Sequence, residues 1–430
     1  EYSSFSRSFS KVSAQDILSK VEQEYDRGRY WPEPLIQINP NYKRQSTVQQ
    51  LAHEGMLHAS CSHIFQTGKT EGKAGDLHLY VHQLQALAKA QKQQSYVVTT
   101  GTGSGKSLAF FVPIIDRILK AKAADPQKRT RAIVIYPMNA LANSQLEELD
   151  KFLHGYPDDQ KPFTVARYTG QESDADRKQI ADNPPDILLT NFMMLELILT
   201  RFEDVDRRVV EHCQGLEFLV LDELHTYRGR QGADVALLVR RLRERLQAHQ
   251  LVCIGTSATM SSTGTQADRN QTVASVASLL FGAQITEHDV IGETLERVTN
   301  PAKDIEAVKS LLKPALLKES YHWPDFAAFS DDPLAVWVEL SLGIELPLNE
   351  PPRRARPVTL GDAAKRLADD AQCTVEEAHA GLQRFLVAAH DVKTHQGRAP
   401  FAFKLHQFIS GPGKVLATLE PEGVRHITLD

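Results

Sequence analysis

The sequence predicts an α/β fold, a mostly parallel sheet wrapped on both faces by helices, and three observations carry that expectation. Between Leu77 and about Thr294, six short runs are almost continuously apolar: Tyr96–Thr99, Ala132–Tyr136, Thr164–Tyr168, Ile187–Thr190, Phe218–Asp222 and Val252–Gly255. A strand with one face in water alternates polar and apolar residues, so unbroken runs suit strands covered on both sides. Amphipathic stretches separate them, as in Leu108, Phe111, Ile114, Ile115, Ile118 and Leu119, whose spacing is helical. The first run also ends in a glycine loop, Gly101-Thr102-Gly103-Ser104-Gly105-Lys106-Ser107, of the kind that joins a strand to a helix around a phosphate.

Taken in order, residues 1–76 are polar and irregular apart from helical patches such as Ala14 to Tyr25, and are expected to form an N-terminal accessory segment. His53, His58, Cys61 and His63 are metal-ligand types, yet on a helix only His58 and Cys61 would share a face, so a polar surface helix is expected there. Residues 77–294 hold the sheet. Residues 295–430 read as a mostly helical accessory region, with a Pro/Arg-rich linker from Pro347 to Pro357 and a β-rich end at Phe401–Phe408, Val415–Leu419 and His426–Leu429. Within it Thr359–Ala389 reads as two helices, a layout that suits a helix-turn-helix or winged-helix piece, with Arg353, Arg354 and Arg356 just before it. Packing alone accounts for the apolar positions of those helices.

At 430 residues the chain is long enough for two or three domains. No apolar run reaches membrane-spanning length and the first residues carry no signal-peptide pattern. Cys61, Cys213, Cys253 and Cys373 lie far apart without a CxxC pair, which argues against a cysteine zinc site and for a reducing, cytoplasmic setting. A net charge of −5 means that any binding of nucleic acid rests on a local groove rather than on a global field.

The glycine loop is the candidate phosphate site. Glycines 101, 103 and 105 let the backbone curl so that the N–H groups of Thr102, Gly103, Ser104 and Gly105 point at one anion. Lys106 adds a positive charge near the β/γ-phosphates of ATP, and Ser107 offers a hydroxyl to Mg²⁺. The strict pattern asks for glycine six positions before the lysine, where this chain has Thr100. A β-branched residue resists positive φ, so Thr100 is expected to remain in strand geometry with the turn starting at Gly101. Downstream, the run Leu219–Leu221 delivers Asp222 and Glu223 at its C-terminal end, where ligands of open α/β sheets sit. Asp222 is expected to hold Mg²⁺ through its water shell and Glu223 to orient or deprotonate the attacking water, with Lys106 as the third catalytic group.

The order glycine loop, Asp222-Glu223-Leu224-His225, then Ser257-Ala258-Thr259 resembles the first RecA-like domain of superfamily 2 DEAD/DEAH-box-type helicases. Tyr136-Pro137-Met138-Asn139 is similar to motif Ia of that family, Tyr168-Thr169-Gly170 to motif Ib, and Asp186 to Asn191 to motif Ic. The resemblance implies that Tyr80 and Gln83, in Leu79-Tyr80-Val81-His82-Gln83, contact the adenine, and that His225, Ser257 and Thr259 couple the site to motion. It also implies binding of single-stranded nucleic acid, DNA before RNA, by Asn139, Thr169, Gly170, Thr190 and Asn191, through backbone phosphates and without reading sequence. Asp222 to Gly229 and the arginine-bearing helix after them resemble the YprA/Lhr-like branch, helicases of repair and bacterial defence, which implies a possible protein partner in such a complex. Most of those arginines are expected on an exposed, salt-bridged helix face.

Such motors use a second RecA domain with an arginine-rich final motif. No such motif stands before Asp430, so the chain is expected to carry half of the catalytic site, the other half following in the same polypeptide. Two alternatives stay open: a nucleotide-gated clamp or scaffold that never unwinds, and the motor part of a restriction-type complex.

Overall fold

The computed structural model describes residues 12–27, 33–101, 103–258, 265–348, 350–394, 397–406 and 415–429. Thr102 and Thr259, both expected at the site, lie outside the described residues. The chain divides into two units, Tyr42–Thr294 and Glu1–Asn41 with Leu295–Asp430.

In the first unit the apolar runs become seven parallel strands: β1 (Tyr96–Thr99), β2 (Ala132–Tyr136), β3 (Val165–Tyr168), β4 (Ile187–Asn191), β5 (Phe218–Leu221), β6 (Val252–Ser257) and β7 (Val290–Gly292). Their spatial order is β7-β1-β6-β5-β2-β4-β3. Successive side chains of a strand point to opposite faces, and here both faces are core. Val98, Val134, Leu189, Val220 and Ile254 pack with helices α1 (Val81–Gln91), α2 (Leu108–Ala124) and α3 (Asn139–Leu153). Their neighbours Val97, Ile133, Ile135, Leu188, Leu219 and Cys253 pack on the other side with α4 (Asp174–Asp182), α5 (Phe192–Thr200), α6 (Asp204–Glu211), α7 (Gly229–Arg245) and α8 (Gln266–Phe281). Each such side chain contributes about 1.5–3 kcal/mol by leaving water, which is why the runs tolerate no polar alternation.

The apolar pattern missed β7, which pairs in parallel with β1 (Val290 opposite Val97) and offers only Val290 and Ile291 as apolar residues. α2 contains Pro113, whose ring nitrogen cannot donate to the Ala109 carbonyl four residues back. The buried Tyr96 hydroxyl takes that carbonyl instead, at 2.8 Å, so strand β1 repairs the helix it feeds.

The expected accessory segment 1–76 is not one piece. Residues from Tyr42 onward belong with the seven-stranded unit, where Arg44–Thr47 pairs with His78–Tyr80. Val48, Leu51, Cys61 and Ile64 enter the core beneath α1 and α2. His58 and Cys61 serve this packing. The His58 N–H donates to Asp116 Oδ1 at 2.6 Å, and burial pushes the Cys61 thiol up to about 12.

The second unit has Leu35–Asn39 between Val358–Thr359 and Ala402–His406 in an antiparallel sheet. Helices α9 (Ile305–Leu316), α10 (Leu360–Ala371) and α11 (Val375–His390) pack around Trp337 and Phe385. Thr359 and Thr374 cap the last two helices by accepting the N–H groups of Asp362 (3.0 Å) and Glu377 (3.1 Å). The apolar positions of the two helices, Ala364, Leu367, Leu382 and Phe385, are all in this core. Among the described residues no helix is long and apolar enough to cross a membrane.

Candidate nucleotide and nucleic-acid site

Sheet order decides the site. The glycine loop follows β1, the acidic pair follows β5, and β6 runs between them, so the end of β6 separates loop from carboxylates. The loop bends at Gly103 (φ +79°) and Gly105 (φ +67°), left-handed positions that glycine takes without strain. The β1 strand ends at Thr99, one residue earlier than expected for Thr100. Thr100 instead closes the loop: its buried hydroxyl lies 2.6 Å from that of Ser104, which is also buried.

α1 straps the loop from behind. His82 Nε2 lies 3.0 Å from the Ser104 carbonyl, and burial holds the His82 pKa below its ordinary value, so the neutral ring donates from Nε2. Gln83 Oε1 accepts the Tyr80 N–H (2.8 Å) while its Nε2 donates to the Gly105 carbonyl (2.9 Å). The amide expected on the adenine edge is bonded at each end to backbone and only 2% exposed, so Gln83 also braces the phosphate loop, with one N–H and one lone pair beyond these two bonds. A Cβ on Gly105 would come 2.7 Å from that Nε2. Gly105→Ala is accordingly expected to weaken nucleotide binding and to cost about 1–2 kcal/mol from the left-handed backbone alone. Wild-type melting and affinity in that variant would show that the brace does not confine the loop.

Two contacts that sequence reasoning missed complete the loop. Gly101 N–H donates to Glu293 Oε2 at 3.0 Å, from the residue after β7. On the other side Lys106 Nζ lies 3.4 Å from Glu223 Oε1, so the loop cation faces the second carboxylate. Ser107 begins α2 without capping it through its hydroxyl.

Thr256, at the end of β6, organises the acidic pair. Its hydroxyl donates to Asp222 Oδ1 and accepts the Glu223 N–H at 3.1 Å. Ser257, the next residue, has its hydroxyl 3.3 Å from His225 Nδ1, which also lies 3.2 Å from Glu223 Oε2 without hydrogen-bond alignment. Two of the three expected coupling residues, His225 and Ser257, are thus brought together, while Thr256 escaped notice inside a run of small hydroxyl residues. Glu223 has φ +53° and ψ +59°, a left-handed conformation that strains a side-chain-bearing residue by about 1–3 kcal/mol. Its carbonyl accepts the Thr226 N–H (2.9 Å) and hydroxyl (2.8 Å), which help to hold it there.

Burial pushes Asp222 above the usual carboxylate range, against the opposing Thr256 hydrogen bond, and the Glu223 charge adds to the push. The Tyr136 and Tyr227 hydroxyls are buried without a hydrogen-bond partner among the described residues, and both phenols are raised by burial and then by the Asp222 charge. A hard, hydrated dication fits this set, since it offsets the carboxylate charges and its waters can satisfy the unpartnered oxygens.

At the other end of the sheet's C-terminal edge, the five expected strand-binding residues fare differently. Thr190 is fully buried and donates to the Tyr168 carbonyl at 2.6 Å, so it is a packing residue and not a contact. Asn191 caps α5 by accepting the Met194 N–H (2.7 Å) and donates to Asn139 Oδ1 (2.7 Å) and the Thr169 carbonyl (3.0 Å). Asn139 is half-buried and Gly170 exposed, with φ +87°. Thr169 is buried: its N–H and that of Gly170 both donate to Glu172 Oε2, at 2.7 and 2.9 Å, and its hydroxyl donates to Glu172 Oε1 at 3.0 Å. Although burial works against it, these bonds and Arg167 hold the Glu172 carboxyl below its ordinary range. Three arginines of α7 are engaged by protein: Arg240 donates to the Leu279 carbonyl at 3.2 Å, Arg241 pairs with Glu196, and Arg243 donates to the Phe281 carbonyl at 3.3 Å.

Residues 80–267 match the family described as DEAD/DEAH box helicase. Over 192 residues the chain is 34% identical to the uncharacterized ATP-dependent helicase YprA of Bacillus subtilis, covering 44% of this chain and 24% of that protein. Over 193 residues it is 32% identical to the Lhr helicase/uracil glycosylase of Escherichia coli, covering 42% of this chain and 12% of that one. A crystal structure of the DUF1998 helicase MrfA bound to DNA aligns over 66% of this chain and 35% of its own, with 25% identity and a TM-score of 0.44. The matches to the two curated relatives span a quarter or less of their length.

Proposed function

We infer, from the DEAD/DEAH box helicase domain that residues 80–267 of this chain form, that the unit binds ATP with Mg²⁺ and is the ATP-binding lobe of a translocase acting on single-stranded nucleic acid, DNA before RNA. The observation that carries the reading is the hydrogen-bonded bridge through Thr256. It fixes Asp222 and Glu223 across β6 from the phosphate loop and within reach of Lys106. Lys106 and the loop amides hold the phosphates, Ser107 and Asp222 hold the cation, and Glu223 orients the attacking water and receives its proton. Bound Mg²⁺ supplies neutralisation of charge on the phosphate oxygens. An arginine from a second lobe commonly adds about 10³–10⁵ to such a rate, so the chain assayed by itself is expected to turn ATP over slowly. The names of the curated relatives support a helicase, and the four free thiols suit a cytoplasmic protein.

Asn139 and the exposed Gly170, with Thr169 buried beneath them, form the edge proposed to position the strand. Because such contacts are to phosphates, affinity for single-stranded DNA is expected to fall with salt, by about 0.7 log units per log unit of salt for each phosphate contacted, and to vary little with base sequence. Asn139→Asp keeps the acceptor for Asn191 and adds a negative charge, and is expected to weaken binding roughly tenfold at low salt. Fluorescence anisotropy with labelled oligonucleotides measures both. Curves indifferent to salt and to this charge would remove the strand from this edge.

A further inference from the structure

We propose that a cleft at the opposite, N-terminal edge of the sheet, walled by Arg117, Lys120 and Arg129, binds a small phosphorylated anion at a site separate from the glycine loop. The cleft is about 790 Å³, a size ordinary for a small-molecule site. It lies between one side of α2, the end of α1 and the loops that precede β5 and β6, all in the seven-stranded unit. Nothing in the nucleotide reading uses it.

Charge is the first argument. Arg117, Arg129 and Arg131 converge on one carboxylate, Glu217, at 2.7, 3.0 and 3.3 Å. Lys120 pairs with Asp116 at 2.8 Å. Of the charged groups that line the cleft, three cations (Arg117, Lys120 and Arg129) face two carboxylates (Asp116 and Glu217), with Arg131 buried behind them, and the excess of positive charge favours an anionic ligand. The crowding is felt: burial, and next the Arg131 charge, lower the pKa of Arg129. Arg129 spends its Nη1 on the Gln214 and Gly215 carbonyls, at 3.0 Å each, and so holds the loop before β5, which leaves Arg117 and Lys120 as the cations on α2 that a ligand can reach.

Geometry is the second. Arg117 spends only its Nε on Glu217, and its two Nη groups make no hydrogen bond to another described residue. They form a planar pair of donors on the cleft wall, the arrangement that takes an oxyanion bidentately. Lys120 supplies a compact charge from the next turn of α2. Amide side chains at the rim, among them Gln93 and Gln250, can hydrogen-bond the uncharged part of a ligand.

Calorimetric titration with inorganic pyrophosphate tests the site, using the chain with Lys106→Ala so that the glycine loop lacks its cation. Binding is expected to persist in that background. Adding Arg117→Gln is expected to weaken it at least tenfold, and Lys120→Gln severalfold, with melting midpoints unchanged because both side chains are well exposed. Glu217→Gln removes the anion that competes for the same guanidinium groups and is expected to tighten binding. That sign is opposite to what loss of a merely structural carboxylate would give. No heat in the Lys106→Ala chain, equal affinity in Arg117→Gln, or weaker binding in Glu217→Gln would each overturn the proposal.

Discussion

Glu223→Gln is expected to leave ATP binding intact while turnover falls by about 10²–10⁴, the usual worth of a positioned general base. The amide keeps the length of the side chain and its place opposite Lys106, but it cannot accept the proton of the attacking water. Lys106→Ala removes the loop's cation and is expected to lose both functions. Affinity should drop by the roughly 1.5–3 kcal/mol of a charge-assisted hydrogen bond, about tenfold to a hundredfold, and hydrolysis should fall to background. Titration with a fluorescent ATP analogue beside a phosphate-release assay separates the two variants. Wild-type turnover in either would take the chemistry away from this pair.

Asp222→Asn is expected to abolish Mg²⁺-dependent hydrolysis and yet to raise the melting temperature of the ligand-free protein at neutral pH. Because burial raises the folded-state pKa of Asp222 above its unfolded value, the stability it contributes is fully present below the unfolded carboxylate pKa and is lost as pH rises through the folded one. At neutral pH the carboxylate is therefore charged at a cost that asparagine does not incur, while the Thr256 hydroxyl still finds an oxygen to bond. A difference of a few degrees is expected, since about 1 kcal/mol moves the midpoint by about 2–4 °C in a domain of this size. The gap should close in acid, and added Mg²⁺ should raise the midpoint of the wild type only. A variant that melts lower than wild type at pH 7 would contradict the argument.

The sheet and its phosphate loop were legible because their physics is local. A strand covered on both faces must be apolar at every position, and a backbone that curls around an anion must contain glycine. What escaped was set by neighbours distant in sequence. Val290–Gly292 is too short to show a pattern and becomes a strand only because β1 has an open edge beside it. Residues 33–76 read as irregular, yet Leu35–Asn39 finds its partners more than 300 positions away and Val48 to Ile64 complete a core made by later helices. The same limit applies to the site. Thr190 has the right residue type at the right edge, but alternation of side chains along β4 turns it inward. Gln83 has the right spacing, and its bond to the Gly105 carbonyl, which braces the loop it was expected to accompany, joins residues 22 positions apart. Thr256 lies in a run noticed for its hydroxyls. Only the sheet order β1-β6-β5 shows that it stands between the two halves of the chemistry.

The left-handed backbone at Glu223 makes heat resistance and turnover competing selections at a single codon. Glycine there would release the torsional strain, and asparagine, which tolerates positive φ better than most residues, would release part of it. A library of position 223 selected for survival at high temperature should therefore enrich glycine and asparagine, whereas one selected for ATP turnover should return glutamate from the same pool.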